Sequence, residues 1–136
     1  MKKDTVKELL NAAIAAREKS YSPYSSYAVG AALLTGDGKI YTGANIESSV
    51  HTPTVCAERV AFFSAVHAGE RSFEAIAIVG GKAGEDIKDF CAPCGVCRQV
   101  MAEFCGDDFR IILSNGKKAR IYKLCDLLPL RFSLDK

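Results

Sequence analysis

Three of the chain's six cysteines stand where a loop runs into a predicted helix, and they constrain the fold more than any other feature. Cys56 opens the fragment Cys-Ala-Glu-Arg, and Cys94 and Cys97 belong to the fragment Pro-Cys-Gly-Val-Cys-Arg-Gln. Because Cys94 and Cys97 are three residues apart, both face one side of the first turn of a helix. If the three thiolates bind one metal ion, the fold must bring two helix N-termini together.

Three thiolates in one place indicate a zinc site, because zinc prefers thiolate sulfur and tetrahedral geometry. Three protein ligands leave a fourth position for water, which is typical of catalytic rather than structural zinc sites. Glu58 follows Cys56 by two residues in the same predicted helix, where it could reach a bound water without ligating the metal. The spacing therefore predicts one Zn²⁺ per chain, with Glu58 as the catalytic residue that moves protons.

Two other interpretations of these cysteines stay open on spacing alone. A C-x-x-C pair that opens a helix is also typical of a thioredoxin-type redox protein. The same pair is half of a four-cysteine structural zinc site if one of the remaining cysteines completes it. Those remaining cysteines are Cys91, Cys105 and Cys125. Neither interpretation explains why Glu58 and Arg59 stand so close to Cys56, so the pattern favours the catalytic site.

The charge of three thiolates raises a difficulty, because it leaves a zinc site with a net negative charge and weakens the ion's power to activate water. Helix N-termini offset part of this, since their backbone N–H groups and dipole favour negative charge. Arg59 and Arg98 also lie beside the ligands in the sequence and can donate to their sulfurs. We therefore predict that Arg59 offsets thiolate charge.

The order of predicted elements is α-ββ-α-β-α-ββ-α, from apolar periodicity and turn residues. Helices are predicted over 4–19, 56–67, 94–105 and 123–128, and strands over 29–34, 39–45, 74–80, 109–114 and 117–122. Asp4 is the predicted N-cap of the first helix, and the turns at 36–38 and 115–116 each close a hairpin. Strands that alternate with helices predict an α/β fold, with helices on the faces of a mixed sheet.

The charge balance excludes a polyanion-binding protein, because 18 basic and 16 acidic residues give a net charge of only +2. The densest basic stretch, 117–123, is interpreted as a solvated strand and turn. No apolar run approaches the roughly 20 residues that span a bilayer, and Asp4, Lys7 and Glu8 interrupt any signal sequence. We predict one cytoplasmic domain over residues 1–136, with reduced cysteines and neither nucleic-acid nor membrane partners.

The two cysteine fragments, taken with three further motifs, resemble the cytidine deaminases. C-A-E-R followed by P-C-G-V-C-R-Q resembles the zinc deaminase signature H/C-x-E then P-C-x-x-C. The fragments Y-A-V-G-A-A at 27–32, G-A-N-I-E at 43–47 and L-L-P at 127–129 with Phe132 resemble F-x-V-G-A-A, G-x-N-I-E and L-L-P-x-x-F. The resemblance covers about residues 15–132, and the all-cysteine ligand set is similar to that of the short homotetrameric members.

This resemblance implies a three-layer α/β/α fold with a five-stranded mixed sheet, and a homotetramer whose neighbouring subunits complete each active site. It implies hydrolytic deamination of cytidine and deoxycytidine to uridine and deoxyuridine plus ammonia, in pyrimidine salvage. It also places the nucleoside sugar on Asn45 and Glu47, and the base against Tyr27 and beside Ala57. Phe132 of a neighbouring subunit is expected to close the pocket.

The chain departs from the family pattern at three positions near the expected substrate. Tyr27 stands where the family usually has Phe, and Ser49 and His51 stand where it tends to have Ala and Tyr. The substrate choice is therefore predicted to depend on this region. The nearest alternative is a deaminase of the same fold that acts on a cytosine-containing antibiotic such as blasticidin S, although the N-I-E segment and Arg59 favour a simple nucleoside.

Overall fold

The chain folds as α-ββ-α-β-α-ββ-α in a computed structural model that describes residues 1–134. The helices are α1 (Lys3–Arg17), α2 (Ala57–His67), α3 (Gly95–Phe104) and α4 (Leu124–Leu127). The strands are β1 (Tyr27–Thr35), β2 (Ile40–Ala44), β3 (Phe73–Lys82), β4 (Arg110–Ser114) and β5 (Ala119–Lys123). The predicted order of elements is confirmed, and the last two residues of the predicted 1–136 domain lie outside the described residues.

The five strands form one sheet in the order β2-β1-β3-β4-β5. β3 and β4 are parallel and the other three neighbouring pairs are antiparallel, so the sheet is mixed as predicted. α3 lies between β3 and β4 in the chain and supplies the crossover that a parallel pair requires. Gly38 and Gly116 stand in the two predicted hairpin turns with φ of 89° and 90°, a conformation that glycine adopts without strain.

Helices cover both faces of the sheet, which gives the expected three layers. On one face α1 buries Leu9 and Ala13 against Leu34 and its neighbours on the sheet. On the other face α2 and α3 bury Phe62 and Met101 in a core that includes Leu33. Successive strand residues point to opposite faces, which is why Leu33 and Leu34 belong to different cores. No helix of residues 1–134 combines the length and the apolar character needed to cross a membrane.

Gly43 lets the first turn of α2 lie directly on β2. A Cβ atom at this position would stand 2.5 Å from the carbonyl oxygen of Ala57 and 2.6 Å from the backbone nitrogen of Ala61. Both distances are too short for any side chain, so only glycine permits this contact. The contact fixes the N-terminus of α2, and therefore Glu58, relative to the sheet.

Most predicted boundaries differ from the observed ones by one or two residues, and the differences at α1, β1 and β3 have a physical reason. α1 begins at Lys3 with Lys2 as its N-cap, so Asp4 lies in the first turn, where its carboxylate still meets the positive end of the helix dipole. β1 and β3 are longer than predicted because they pair antiparallel from Tyr27 opposite Lys82 onward. Backbone pairing thus extends both strands beyond the apolar runs that identified them.

Replacing Phe62 by Ala is expected to lower the free energy of unfolding by about 3–5 kcal/mol. The Phe62 ring is fully buried, with the ring centroids of Phe73, Phe109 and Phe104 at 5.2, 5.9 and 6.0 Å. Its removal leaves a cavity that these rings cannot fill. Chemical unfolding measures the loss. Ile14→Ala, at a helix position 42% exposed, is the control and should cost less than about 1 kcal/mol. Equal losses of unfolding free energy in the two variants would contradict a central packing role for Phe62.

Candidate active site

Three cysteine sulfurs meet where the N-termini of α2 and α3 approach each other. Cys56 is the N-cap of α2, Cys94 is the N-cap of α3, and Cys97 lies in the first turn of α3. The Sγ atoms of Cys56 and Cys94 are 3.9 Å apart, those of Cys94 and Cys97 are 3.6 Å apart, and all three lie within 4.8 Å of one another. The structure therefore brings together the three thiols that the spacing singled out.

The geometry and chemistry of this cluster fit a zinc ion. Tetrahedral zinc with Zn–S bonds of about 2.3 Å holds its sulfurs about 3.8 Å apart, close to the 3.6 and 3.9 Å separations found here. Within residues 1–134 the group contains three donors and no fourth His, Cys, Asp or Glu. The remaining cysteines, Cys91, Cys105 and Cys125, lie outside it. The cluster therefore has the three-ligand form of a catalytic site rather than the four-ligand form of a structural one.

The surroundings of Cys56 stabilise its thiolate. A hydrogen bond with Cys97, followed by the hydrogen bond and charge of Arg59, lowers the pKa of Cys56 to about 5. Arg59 Nη2 donates to Cys56 Sγ at 3.5 Å, and Arg59 Nε is buried with no hydrogen-bond partner in the described part of the chain. The same hydrogen bond with Cys56, together with burial, raises the pKa of Cys97. Of these two thiols, Cys56 therefore gives up its proton more readily than Cys97.

Arg98 does not assist the sulfurs, contrary to the sequence-based expectation. Its Nε donates to the carbonyl of Pro93 and its Nη1 to the carbonyl of Leu127, both at 2.7 Å. Arg98 therefore ties the loop before α3 to the end of α4. Of the two arginines that follow the cysteines, Arg59 donates to a sulfur of the cluster, whereas Arg98 donates to backbone carbonyls.

Glu58 is a buried carboxyl group beside the sulfur cluster. It lies in the first turn of α2 with only 4% of its surface exposed, directly after Ala57, which is fully buried. Burial, with a further contribution from the charge of Cys56, raises the pKa of Glu58 to about 7. A carboxyl group with that pKa can accept and release a proton near neutral pH.

The side chain of Asn45, directly after β2, is held by three hydrogen bonds. Its Oδ1 accepts from the Ser20 hydroxyl at 2.5 Å and from the backbone N–H of Val29 at 2.9 Å. Its Nδ2 donates to the carbonyl of Tyr27 at 2.8 Å. The amide is thereby fixed in orientation, with its second N–H still able to donate to a ligand.

Glu47 is fixed in the same way by the turn that precedes β1. Its Oε1 accepts from the backbone N–H groups of Tyr24 at 2.9 Å and Ser25 at 3.2 Å, and its Oε2 accepts from the Ser25 hydroxyl. The Ser25 hydroxyl is the main cause of the lowered pKa of Glu47, so this group is an anion. A cavity of about 330 Å³ is lined by Tyr24, Ser25, Glu47, His51 and Thr54. His51 therefore lies at the same cavity as Glu47.

Tyr27 and Phe132 are the two aromatic residues that were expected at the substrate pocket. Tyr27 is the first residue of β1, is 41% exposed, and has a pKa raised to about 12, chiefly by burial of its hydroxyl. Phe132 is 67% exposed, and its carbonyl accepts a hydrogen bond from Gln99 Nε2 on α3 at 2.9 Å. Neither Tyr27 nor Phe132 lines the cavity at Glu47. Within one chain the two aromatic residues are therefore not brought together there.

Sequence reasoning missed the hydroxyl groups that hold Asn45 and Glu47. Ser20 and Ser25 belong to a stretch that reads Ser-Tyr-Ser-Pro-Tyr-Ser-Ser, between the first predicted helix and the first predicted strand. Its density of hydroxyl groups was the available signal. What could not be read was which partners those hydroxyls would meet more than 20 residues further along the chain.

Comparison with known proteins gives concordant matches over most of the chain. Residues 3–113 match the family model described as the cytidine and deoxycytidylate deaminase zinc-binding region. The chain is 50% identical over 129 residues to the cytidine deaminase of Sporosarcina psychrophila, covering 94% of this chain and 91% of that protein. The crystal structure of cytidine deaminase from Burkholderia pseudomallei superposes with a TM-score of 0.85 at 44% identity, covering 97% and 100% of the two chains. The chain is also 33% identical over 108 residues to the blasticidin-S deaminase of Bacillus cereus, covering 77% and 76%.

Proposed function

The chain belongs to the cytidine and deoxycytidylate deaminase family, and we propose that it hydrolyses cytidine to uridine and ammonia at a zinc site made by Cys56, Cys94 and Cys97. The observation that carries this proposal is the meeting of three sulfurs within 4.8 Å beside the buried carboxyl group of Glu58. Together they provide the metal ligands and the proton carrier that hydrolytic deamination requires.

Zinc would supply Lewis acidity, and the protein supplies its ligands and offsets their charge. When bound, zinc acts as a Lewis acid that lowers the pKa of water toward neutrality. The protein supplies the ligands, keeps the thiolates in place at two helix N-termini, and offsets part of their charge through Arg59. This arrangement fits the all-cysteine ligand set, whose negative charge would otherwise weaken the metal.

Glu58 moves the protons of the reaction. It accepts a proton from the attacking water and delivers it to N3 of the cytosine ring while the oxygen bonds to C4. It then transfers the second water proton to the amino group at C4, which leaves as ammonia and yields the carbonyl of uridine. A pKa of about 7 lets one carboxyl group act first as base and then as acid.

Backbone N–H groups at the two helix N-termini, together with Asn45 and Glu47, position the substrate. The N–H groups of Ala57 and Cys94 stand at helix N-termini, where they can donate to charge that develops on the ring. Asn45 and Glu47 recognise the sugar hydroxyls in this proposal, which their own fixed hydrogen bonds support. We propose that both cytidine and deoxycytidine are accepted.

Self-association is the second part of the proposal. A mainly apolar groove of about 460 Å³ runs along α2 and α3 and includes Phe63 and Val96, which are 50% and 59% exposed. Phe132, at 67% exposure, is a further large apolar side chain on the surface. We propose a cytoplasmic homotetramer of single-domain chains, 1–136, that serves pyrimidine salvage, with Phe132 of one subunit closing the pocket around Tyr27 of another.

A substrate comparison tests the proposed function. Turnover of cytidine, deoxycytidine and blasticidin S is measured under the same conditions by ammonia release. Cytidine and deoxycytidine should be deaminated far faster than the antibiotic. The alternative has a specific basis, because His51 lies at the cavity of Glu47 and a blasticidin-S deaminase is among the relatives. Turnover of blasticidin S without turnover of cytidine would replace the proposal with that alternative.

Replacing Arg59 by Gln is expected to lower turnover by roughly 10- to 100-fold while zinc remains bound. The guanidinium donates to Cys56 Sγ, and its loss leaves the thiolate charge less offset. Metal analysis and steady-state kinetics on the same sample measure both quantities. Arg59→Lys keeps the positive charge and should recover part of the activity. Unchanged zinc together with unchanged turnover in Arg59→Gln would show that the sulfurs need no such assistance.

A further inference from the structure

Arg17 is a buried arginine that forms no salt bridge within residues 1–134. It ends α1 with 6% of its surface exposed. Its guanidinium donates instead to three backbone carbonyls, those of Ala28 at 3.0 Å, Lys82 at 2.6 Å and Glu85 at 3.0 Å. Because burying a charged group is costly even when it is hydrogen-bonded, its presence here points to a specific role.

Two glycines make room for this arrangement. A Cβ atom at Gly30 would lie 2.0 Å from the carbonyl oxygen of Ala13 and 2.6 Å from the backbone nitrogen of Arg17. A Cβ atom at Gly81 would lie 3.4 Å from Arg17 Nη2. The last turns of α1 therefore lie directly on β1, and the guanidinium reaches the end of β3.

Two of the three carbonyls that Arg17 contacts, those of Ala28 and Lys82, lie at the paired ends of β1 and β3. Ala28 follows Tyr27 in β1, and Tyr27 pairs with Lys82, the last residue of β3. Arg17 thus ties the two strands together at the pair that contains Tyr27, from the sheet face that α1 covers.

The third carbonyl that Arg17 contacts belongs to Glu85, near the start of the segment that leads back to the sulfur cluster. Glu85 lies in the turn after β3, and the segment 83–93 leads from there to Cys94. Cys91, near the end of this segment, lies against β3, since a Cβ atom at Gly80 would be 2.8 Å from its sulfur. The Glu85 contact therefore holds the start of a segment whose far end borders the active site.

We propose that Arg17 is a positioning residue for deamination. By holding these carbonyls it fixes Tyr27 and the segment 83–93 relative to each other, and so shapes one wall of the pocket for the base. The inference rests on the proposed function, in which Tyr27 lies against cytosine. Arg17 acts from the opposite face of the sheet and through other groups, so its loss should weaken nucleoside binding more than it slows the chemical step.

Arg17→Gln compared with Arg71→Gln tests this role. Arg71 is a matched control, because its Nη1 also donates to two backbone carbonyls, those of Val66 and Glu70, at the exposed end of α2. For Arg17→Gln we expect the KM for cytidine to rise about 10-fold, the scale of a lost charged hydrogen bond, with zinc content and kcat little changed. For Arg71→Gln we expect a KM equal to that of the wild type. A lowered Tm with an unchanged KM in Arg17→Gln would overturn the proposal.

Hydrogen–deuterium exchange gives a readout that does not depend on activity. In Arg17→Gln the amides of 83–91 should exchange faster, while those of α2 keep their protection. Unchanged exchange in that segment would also overturn the proposal. If Arg17→Gln does not fold, Arg17→Lys is measured in the same way, since it keeps the charge and can reach fewer carbonyls. An inactive wild type would contradict the proposed function, and exchange would still decide whether Arg17 holds the segment.

Discussion

Replacing Glu58 by Gln is expected to lower kcat for cytidine by about 100- to 10,000-fold while one zinc ion per chain stays bound. Glutamine has nearly the volume of glutamate and fills the same buried position in the first turn of α2. It cannot accept a proton, so neither transfer to N3 nor transfer to the leaving amino group can proceed through this side chain. Steady-state kinetics and metal analysis on the same sample measure the effect.

The matched control for this experiment is Glu74→Gln. Glu74→Gln removes a carboxylate from an exposed position on β3 and should leave turnover unchanged. If Glu58→Gln lost its zinc together with its activity, Glu58 would be supporting the metal site rather than carrying protons. If it retained turnover close to that of the wild type, the proton carrier would have to be another group.

Replacing Cys97 by Ala is expected to remove most of the bound zinc and to reduce turnover below about 1% of the wild type. Its sulfur is 3.6 Å from that of Cys94 and only 1% of the residue is exposed, so water cannot readily replace the lost ligand. Chelation of wild-type zinc should give the same loss of activity. Zinc added back should restore the chelated wild type but not the variant.

Cys125→Ala is the control for this experiment, because Cys125 is a partly exposed thiol outside the sulfur cluster. It should retain both zinc and turnover. Equal zinc loss in the two variants would mean that Cys125 also binds metal, which would revive the four-cysteine structural site. Full activity of zinc-free Cys97→Ala would contradict a zinc-dependent reaction.

Local patterns were sufficient to predict the order of elements and the shared helix side of Cys94 and Cys97. Apolar periodicity identified each helix and strand, and glycine turns such as Asn115–Gly116 identified the hairpins. Two cysteines three residues apart in a helix must share one side of its first turn, so Cys94 and Cys97 needed no tertiary information. The approach of Cys56 was a hypothesis about two helix ends, and the sheet with its helices brings them together.

Contacts between distant segments could not be predicted in the same way. Arg17 reaches carbonyls 65 and 68 residues further along the chain, and no local pattern indicates which carbonyls those are. For Arg98 the sequence suggested a sulfur partner, but the carbonyls of Pro93 and Leu127 lie within its reach. Backbone acceptors carry no signature in the sequence, which is why such partners appear only in the folded chain.

The substrate-binding residues were predicted on a different basis from the metal ligands. The roles of Asn45, Glu47 and Phe132 were implied by family resemblance and remain proposals. The structure adds that Asn45 and Glu47 are held by neighbouring groups, as expected of residues that must present fixed donors and acceptors. If Phe132 of one subunit closes the pocket of another, mixing Glu58→Gln chains with Phe132→Ala chains should give more activity than either variant has alone.

X-ray absorption at the zinc edge, combined with cytidine turnover of the same purified sample, tests the central claim most directly. We expect about one zinc per chain with three sulfurs at about 2.3 Å and one lighter ligand, together with rapid loss of the ultraviolet absorbance of cytidine. Four sulfurs around the zinc would contradict an open catalytic position. Protein purified without chelator that contains no zinc and forms a reversible Cys94–Cys97 disulfide would instead establish the redox interpretation.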